Sequence, residues 1–490
     1  MTWGEWLLLG HFAINVLFAV RVIYSRRSSS AALAWLVVLF MLPYLGTLLY
    51  LLIGEPRLGN RRARRKQEMT AFYDTFRHRF VEAAAVDEER IAPRFSRIAR
   101  LARRDAGFAV NEGNEAMLLT DTDDILSAFI ADIGKAKVSC LLMFYIVDGA
   151  GRVGTVLEAL MAAARRGVSC QLLVDAVGSS AFLQSAWPRR LREAGVAVTE
   201  ALPVGVFKTL FVRSDLRNHR KLLIVDYQIA YTGSYNLVDP ANFRQDSGVG
   251  QWVDAVMRLD GPVARVLAGV YYADWAVEND DNLKATIERI ESYLQTDVPD
   301  ADAPDARPGA ALQVIPSAPD EERYVVYDTL ISALYAALES VVITTPYFVP
   351  DEALLDALQN AARRGVSVIL MVPARNDSKL VGYASKAYYQ PLLNAGVRIE
   401  KFTGGLLHTK TVVIDDEYAL FGTVNMDMRS FYLNMELSLA VYDAATVGKI
   451  AALQRQYLEQ CEPLNLSKWA KRPRLQRFLE RCVRLVSPLL

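Results

Sequence analysis

The 490-residue chain has only four cysteines (Cys140, Cys170, Cys461 and Cys482) and four histidines (His11, His78, His219 and His408). The cysteines show no C-x-x-C spacing. That excludes a disulfide framework and a zinc ribbon, and reduced core thiols are expected. An excess of charge of either sign is also missing. Lysine plus arginine number 55, as do aspartate plus glutamate, so the formal net charge is zero. That balance excludes a wholesale nucleic-acid binder. Only 22% of residues are charged against 52% hydrophobic, which excludes a disordered chain. The first five residues contain Glu5 and no Lys or Arg, and no small-residue cleavage site precedes Arg26-Arg27. The apolar start of the chain therefore reads as membrane-embedded rather than as a secretory signal.

Long uncharged runs are present only near the N-terminus. Ala31 to Ile53 is 23 residues without a charge. As a helix it would reach about 34 Å, enough for a hydrocarbon core of about 30 Å. Trp6 to Tyr24 is a second, weaker run that contains His11 and Arg21. Together they predict a two-helix transmembrane hairpin over 1–54, with His11 facing the neighbouring helix. The inter-helix loop carries Arg21, Arg26 and Arg27, whereas Arg57, Arg61, Arg62, Arg64, Arg65 and Lys66 follow the second run. Six basic residues against three predict a cytoplasmic body and a basic juxtamembrane segment over 55–110 that suits anionic headgroups.

The remainder is duplicated. Ala163-Ala-Arg-Arg-Gly-Val-Ser169 recurs letter for letter at Ala361 to Ser367. Tyr145 and Tyr347 match at an offset of 202 residues, the Ala-Ala-Arg-Arg copies at 198, and Gly195 and Gly396 at 201. Each copy follows a run with helical spacing and precedes a strand-like stretch. Two related α/β halves are expected, 111–293 and 313–465, each with a mainly parallel sheet. The Pro- and Asp-rich stretch 294–312 separates them as a linker.

The chemistry recurs at one place in each half. His219-Arg-Lys221-Leu-Leu-Ile-Val-Asp226 is followed by Gly233-Ser234-Tyr-Asn236. His408-Thr-Lys410-Thr-Val-Val-Ile-Asp415 is followed by Gly422-Thr423-Val-Asn425. Residues i and i+2 of a strand share a face, so His219 lies with Lys221 and His408 with Lys410. Brought together about a pseudo-twofold axis, two histidines, two lysines and two asparagines form a site for an anionic tetrahedral group, and phosphate fits best. Lysines and amides neutralise its oxygens while Ser234 and Thr423 add hydroxyls. One imidazole attacks phosphorus and the other protonates the leaving oxygen. No convergent carboxylate or thiol set at metal spacing accompanies the motifs, so neither a metal nor a cofactor is expected. His78 has no repeat partner and reads as structural.

The doubled motif resembles the HKD signature of the phospholipase D superfamily, and with the apolar hairpin the chain resembles bacterial cardiolipin synthases. The resemblance implies two phospholipase D-like halves around one pseudo-twofold active site. It places the catalytic set at His219, Lys221, Asp226, His408, Lys410 and Asp415, with the two aspartates as structural partners rather than proton carriers. Phosphate binding falls to Lys221, Asn236, Lys410 and Asn425. The family's histidines are each backed by an acidic residue: Glu436 of Asn434-Met-Glu436 is expected behind His408, and Asp254 of Gln251-Trp-Val-Asp254 behind His219. The implied reaction is phosphatidyl transfer between two phosphatidylglycerols, giving cardiolipin and glycerol, at a bacterial inner membrane. A phospholipase D, or a transferase with another donor or alcohol, is the alternative. A nuclease is disfavoured by the neutral charge and the hairpin, and a catalytically dead scaffold by the two complete motifs.

The tail, 466–490, reads as a basic amphipathic helix. Leu475, Phe478, Leu479, Cys482, Val483 and Val486 share one face, with Arg474, Arg477, Arg481 and Arg484 opposite. Such a helix either lies in a membrane interface or docks on the protein with its basic face solvated.

Overall fold

The computed structural model describes residues 2–24, 29–42, 44–54, 91–203, 213, 215–279, 309–319 and 324–486. The basic run from Arg57 to Lys66, His78, most of the linker and residues 487–490 lie outside the described residues. The N-terminal helices belong to one compact unit and the two halves to another.

In the N-terminal unit, Trp3–Tyr24 is the one helix among the described residues long and apolar enough to cross a membrane by length and composition. The expected second span is not continuous. It divides into Ser29–Met41 and Leu45–Ile53, with Tyr44 between them at φ 58°. The break falls beside Pro43, whose missing N–H denies a continuous helix one of its hydrogen bonds. Two full spans are therefore not what the structure shows. Polar side chains tie the three helices: Asn15 Nδ2 donates to the Leu39 carbonyl at 2.8 Å, and Thr47 Oγ1 donates to Asn15 Oδ1 at 3.3 Å. His11 faces its neighbour as expected, its Nδ1 accepting from the Tyr44 amide at 3.4 Å.

Each half is built on a mixed sheet. In the first half the strands run in space as Ala197–Ala201, Ser169–Asp175, Ser139–Phe144, Leu222–Val225, Ile229–Gly233, Val256–Asp260 and Asn111–Leu119. The second half repeats the order with Arg398–Phe402, Ser367–Pro373, Ser340–Thr344, Thr411–Ile414, Tyr418–Gly422, Asn434–Val441 and Ala310–Ser317. Only the first three strands of each set pair in parallel. The others pair antiparallel, so the expectation of mainly parallel sheets is corrected. The reason is local. Where a helix intervenes the chain crosses over and returns parallel, but the motif strands end in tight turns, which return the chain antiparallel. Asn111–Leu119 pairs antiparallel with Ala310–Ser317 and joins the halves edge to edge.

The repeated Ala-Ala-Arg-Arg-Gly-Val words mark helix ends. Helices Val153–Arg165 and Glu352–Arg363 both stop at a glycine in the left-handed region, Gly167 (φ 93°) and Gly365 (φ 96°). The next amide bonds back to the helix, Val168 to Ala163 and Val366 to Ala361. A Cβ on either glycine would meet nothing within 4 Å, so conformation rather than space selects glycine. One buried apolar cluster draws on both halves, including Leu267 and Tyr271 of helix Val263–Glu278 and Val447 and Ile450 of helix Ala444–Leu458. The halves thus share a core.

Candidate active site

Each histidine sits at the end of a short strand that pairs with the other half. Arg217–Asn218 pairs in parallel with the start of Asn434–Val441, Arg217 opposite Asn434 and Asn218 opposite Met435. Extending that register by one residue sets His219 beside Glu436. Likewise Leu406–Leu407 pairs in parallel with Trp252–Val253, which sets His408 beside Asp254. The histidine amides continue both ladders, His219 N to Met435 O and His408 N to Val253 O, each at 2.9 Å.

The side chains complete the crossing. His219 Nδ1 lies 3.0 and 2.9 Å from the two carboxylate oxygens of Glu436, and His408 Nδ1 lies 2.6 Å from Asp254 Oδ1. The expected pairing is therefore reversed: Glu436 backs His219 and Asp254 backs His408. Each half supplies the carboxylate for the other half's imidazole, because the strands that meet at the centre come from opposite halves. With Nδ1 bound to a carboxylate, Nε2 is the nitrogen available for chemistry.

Lys221 Nζ donates to the carbonyl of His219 at 2.6 Å, and Lys410 Nζ to that of His408 at 2.5 Å. Each ammonium keeps further N–H donors. The lysines are 1% and 2% exposed, which fixes their electrostatics. Burial lowers Lys221 to about 7 against the attraction of Glu436, with Lys410 lowering it further. Burial likewise lowers Lys410 to about 8, with Asp254 and Glu436 acting against it. A bound phosphate would supply the missing counter-charge. Burial also lowers the histidines, His219 to about 4 and His408 below its ordinary value, although each carboxylate pulls the other way. Burial opposes ionisation of Glu436 and Asp254, yet the facing histidines and lysines outweigh it and hold both carboxyls below their usual range. In the empty site these shifts favour neutral imidazoles on ionised carboxylates, and the negative charge of a bound phosphate favours protonation of His408.

Asn236 Oδ1 accepts from the Ile146 amide at 3.2 Å, which leaves its N–H donors unspent. Asn425 is buried, and its Oδ1 has no hydrogen-bond partner among the described residues. Ser234 and Thr423 depart from the expected phosphate contacts. Thr423 Oγ1 donates its one proton to Glu436 Oε2 at 2.5 Å and accepts from the Leu437 amide. Ser234 Oγ accepts from the Ala255 amide at 3.0 Å and donates to the Ala255 carbonyl at 3.4 Å. Thr423 positions the Glu436 carboxylate and Ser234 the backbone next to Asp254, because the Gly-[Ser/Thr] turn runs beside the carboxylate strand.

Asp226 and Asp415, counted with the catalytic set, stand away from the reacting groups. Five residues of extended chain, about 16 Å, separate each from its lysine. They occupy left-handed backbone at φ 51° and 53°, in the turns that end the motif strands. Asp226 accepts from the amides of Lys137, Val138 and Ser139 at 2.7–2.8 Å. Asp415 accepts from Leu338, Glu339 and Ser340 at 2.7–2.9 Å and from Arg94 at 2.5 Å. They staple the turn to the first strand of the sheet, the structural role foreseen for them. Asp415→Ala is expected to lower stability by about 2–3 kcal/mol through orphaned amides, with activity per folded molecule little changed. Thermal melts beside active-site titration check this. Burial opposes ionisation of Asp415, but its amide bonds and Arg94 hold the carboxyl below its usual value. Its contribution is therefore present above the unfolded-state value and fades as pH falls through the lowered one.

Sequence reasoning missed several partners. Arg220, between His219 and Lys221, donates to the Glu436 carbonyl at 3.0 Å, to Asp274 at 2.6 Å and to the Ser317 carbonyl at 3.0 Å. In the other half Thr409 Oγ1 binds the Val253 carbonyl at 3.1 Å and lies 3.0 Å from the Tyr457 hydroxyl. These residues clamp the carboxylate strands. The signal available was a charged residue inside an apolar element, as at Asp274 in Val-Tyr-Tyr-Ala-Asp-Trp. Tyr145 stands edge-on to His219 at 5.1 Å, and the Trp252 ring lies 4.4 Å from that of His408. No group of three or more His, Cys, Asp or Glu disposed to hold a metal occurs among the described residues.

Residues 129–254 and 330–461 match the family model described as cardiolipin synthase, PLD-like domain, and 13–55 match the phospholipase D-nuclease N-terminal model. The first stretch contains His219 and Asp254, the second His408 and Glu436. The chain is 41% identical over 487 residues to cardiolipin synthase A of Klebsiella pneumoniae (strain 342), covering 99% of this chain and 98% of that one. It is 42% identical over 492 residues to cardiolipin synthase A of Edwardsiella ictaluri (strain 93-146), with the same coverage. The crystal structure of phosphatidylserine synthase from Haemophilus influenzae Rd KW20 superposes with a TM-score of 0.59 at 15% identity, covering 80% of this chain and 99% of that one. That likeness concerns the fold.

Proposed function

The chain belongs to the cardiolipin synthase family of phospholipase D-like proteins, and from that premise we propose that it joins two phosphatidylglycerols into cardiolipin with release of glycerol. Nε2 of His219 attacks the phosphorus of the first lipid. The bond to the headgroup glycerol breaks, and His408 gives its proton to the departing oxygen. Phosphatidyl-His219 and free glycerol result. His408, now neutral, takes the proton from a headgroup hydroxyl of the second phosphatidylglycerol. That oxygen attacks phosphorus, the N–P bond breaks, and cardiolipin leaves. Lys221, Lys410 and the amides of Asn236 and Asn425 hold the non-bridging oxygens as charge builds on them.

The crossed histidine–carboxylate pairs carry this reading, since they hold Nδ1 of both imidazoles and leave both Nε2 atoms for chemistry in the field of two buried lysines. His219 serves as nucleophile because it must be neutral to attack, and its pKa lies far below the ordinary value. Purified protein incubated with labelled phosphatidylglycerol is expected to yield cardiolipin and glycerol. Phosphatidic acid in their place would identify a hydrolase.

Charge neutralisation by lysine leads to a second expectation. Turnover in detergent micelles should survive exhaustive EDTA treatment; a strict divalent requirement there, restored by adding the ion back, would contradict it.

The halves proposed at 111–293 and 313–465 form the catalytic body, which is cytoplasmic, and the N-terminal segment anchors the chain in the bacterial inner membrane. Deleting residues 1–54 is expected to release much of the protein from tight membrane integration while leaving turnover of micellar phosphatidylglycerol. A folded truncate with no activity on micelles would make the anchor part of the site.

A further inference from the structure

The C-terminal helix Arg474–Val486 docks the wrong way round for an ordinary surface helix. Its inward face is polar. Glu480 is 1% exposed and accepts from Arg472 at 3.1 Å and Gln476 at 3.2 Å. Arg484 lies over the Tyr388 ring at 5.0 Å, on helix Lys379–Ala395. Its apolar stripe faces out, with Leu475 69%, Phe478 62% and Leu479 48% exposed. The docked arrangement expected, with the basic face solvated, does not hold: Arg477 and Arg484 are half-buried, whereas Leu475, Phe478 and Leu479 are solvated although Val483 packs on the body. The supporting helix exposes Leu380 (44%) and Tyr383 (43%) in its first turns. Those turns follow Asp377, which binds the Tyr347 hydroxyl at 2.9 Å, and Tyr347 is the repeat counterpart of the Tyr145 that flanks His219.

We propose that the outward stripe Leu475, Phe478 and Leu479 inserts into the surface of an anionic phospholipid bilayer and seats the catalytic body on its lipid substrate. Charge selects this occupant. Residues 464–486 contain seven basic side chains and one acidic one, Glu480, which is turned inward. Lys468, Lys471, Arg474 and Arg481 are all exposed around the stripe. Apolar side chains rimmed by lysine and arginine match acyl chains beneath anionic headgroups. A second copy of the chain would oppose two such basic rims across one apolar contact, which like-charge repulsion disfavours. The choice of a lipid occupant rests on the proposed lipid reaction, but contact with lipid can be read without turnover.

The test places a photo-crosslinking amino acid at Phe478 in the full-length protein, reconstituted in vesicles of phosphatidylglycerol and phosphatidylethanolamine. A matched protein carries it at the inward Gln476. Lipid adducts at 478, several-fold above those at 476 and reduced in phosphatidylcholine vesicles, are expected. Protomer–protomer adducts would overturn the proposal in favour of a second copy, and yields equal to the 476 control would overturn it outright. The variant Leu475→Ser/Phe478→Ser/Leu479→Ser gives an independent reading. It should raise the surface KM on vesicles several-fold with kcat unchanged, and leave turnover of micellar substrate unaltered. An unchanged vesicle KM would count against the proposal, whereas loss of cardiolipin formation by the unmodified protein would instead sink the proposed reaction.

Discussion

His219→Ala and His408→Ala are each expected to lower turnover by at least about 10³-fold, and the double variant is expected to be no worse than either alone. Each imidazole takes part in both half-reactions, so removing one leaves nothing for the other to complete. The side chains are 8% and 3% exposed, and alanine would leave a buried carboxylate short of a partner. His219→Asn and His408→Asn therefore accompany them as variants that keep a polar group at the site. Glu436 keeps Thr423 and Asn434 as donors in either case, which favours folding of the His219 variants. Residual activity above a few per cent in a folded variant would rule out the two-histidine mechanism. A quench during turnover, followed by peptide mass spectrometry, assigns the roles. The phosphatidyl group is expected on the peptide containing His219. Finding it only on that containing His408 would exchange the roles and leave the chemistry intact.

Glu436→Gln and Asp254→Asn should each cost roughly 10²–10⁴-fold in kcat, the range of an orienting carboxylate replaced by its amide. The pH profiles separate them. A carboxylate raises the pKa of the imidazole it faces, so its loss lowers that pKa. His408 must be protonated to release glycerol, and activity falls as pH rises through its pKa. Asp254→Asn therefore moves the alkaline limb of kcat/KM to lower pH. Glu436→Gln leaves that limb in place and moves the acid limb, set by protonation of His219, to lower pH. If Glu436→Gln shifts the alkaline limb instead, then either the pairing or the assignment of roles is wrong. Thr423→Val, which removes the proton donated to Glu436 Oε2, should reproduce a weaker form of the Glu436→Gln effect.

His219 is assigned as nucleophile because burial lowers its pKa to about 4 and so keeps it neutral for attack. From the sequence, Glu436 seemed to belong to His408 because both lie in the second half. In the fold both imidazoles have a carboxylate, and burial lowers both. The change shows where linear proximity misleads: 28 residues separate His408 from Glu436, yet the contact is made by His219, 217 residues away.

What the sequence determined by itself is what short-range geometry dictates. The spacing of His219 to Lys221 and of His408 to Lys410 places each pair on one strand, whatever lies beyond. The Ala-Ala-Arg-Arg-Gly-Val words end two helices because a left-handed residue is needed there, and the duplication follows from repeating such words at one offset. The structural role of Asp226 and Asp415 came from the family resemblance, and the fold shows its reason: each caps the amides at the start of the first strand of its sheet. Only the tertiary structure decided which strands meet. Strand pairing between distant segments depends on the register of the whole sheet and on the shared core, and no local pattern specifies it. That register crossed the carboxylates between the halves and turned Ser234 and Thr423 away from the substrate. The same dependence on neighbours settled the last helix. Periodicity marked its two faces, but Tyr388 on the body, lying against Arg484, docked the polar face and left Leu475, Phe478 and Leu479 outside.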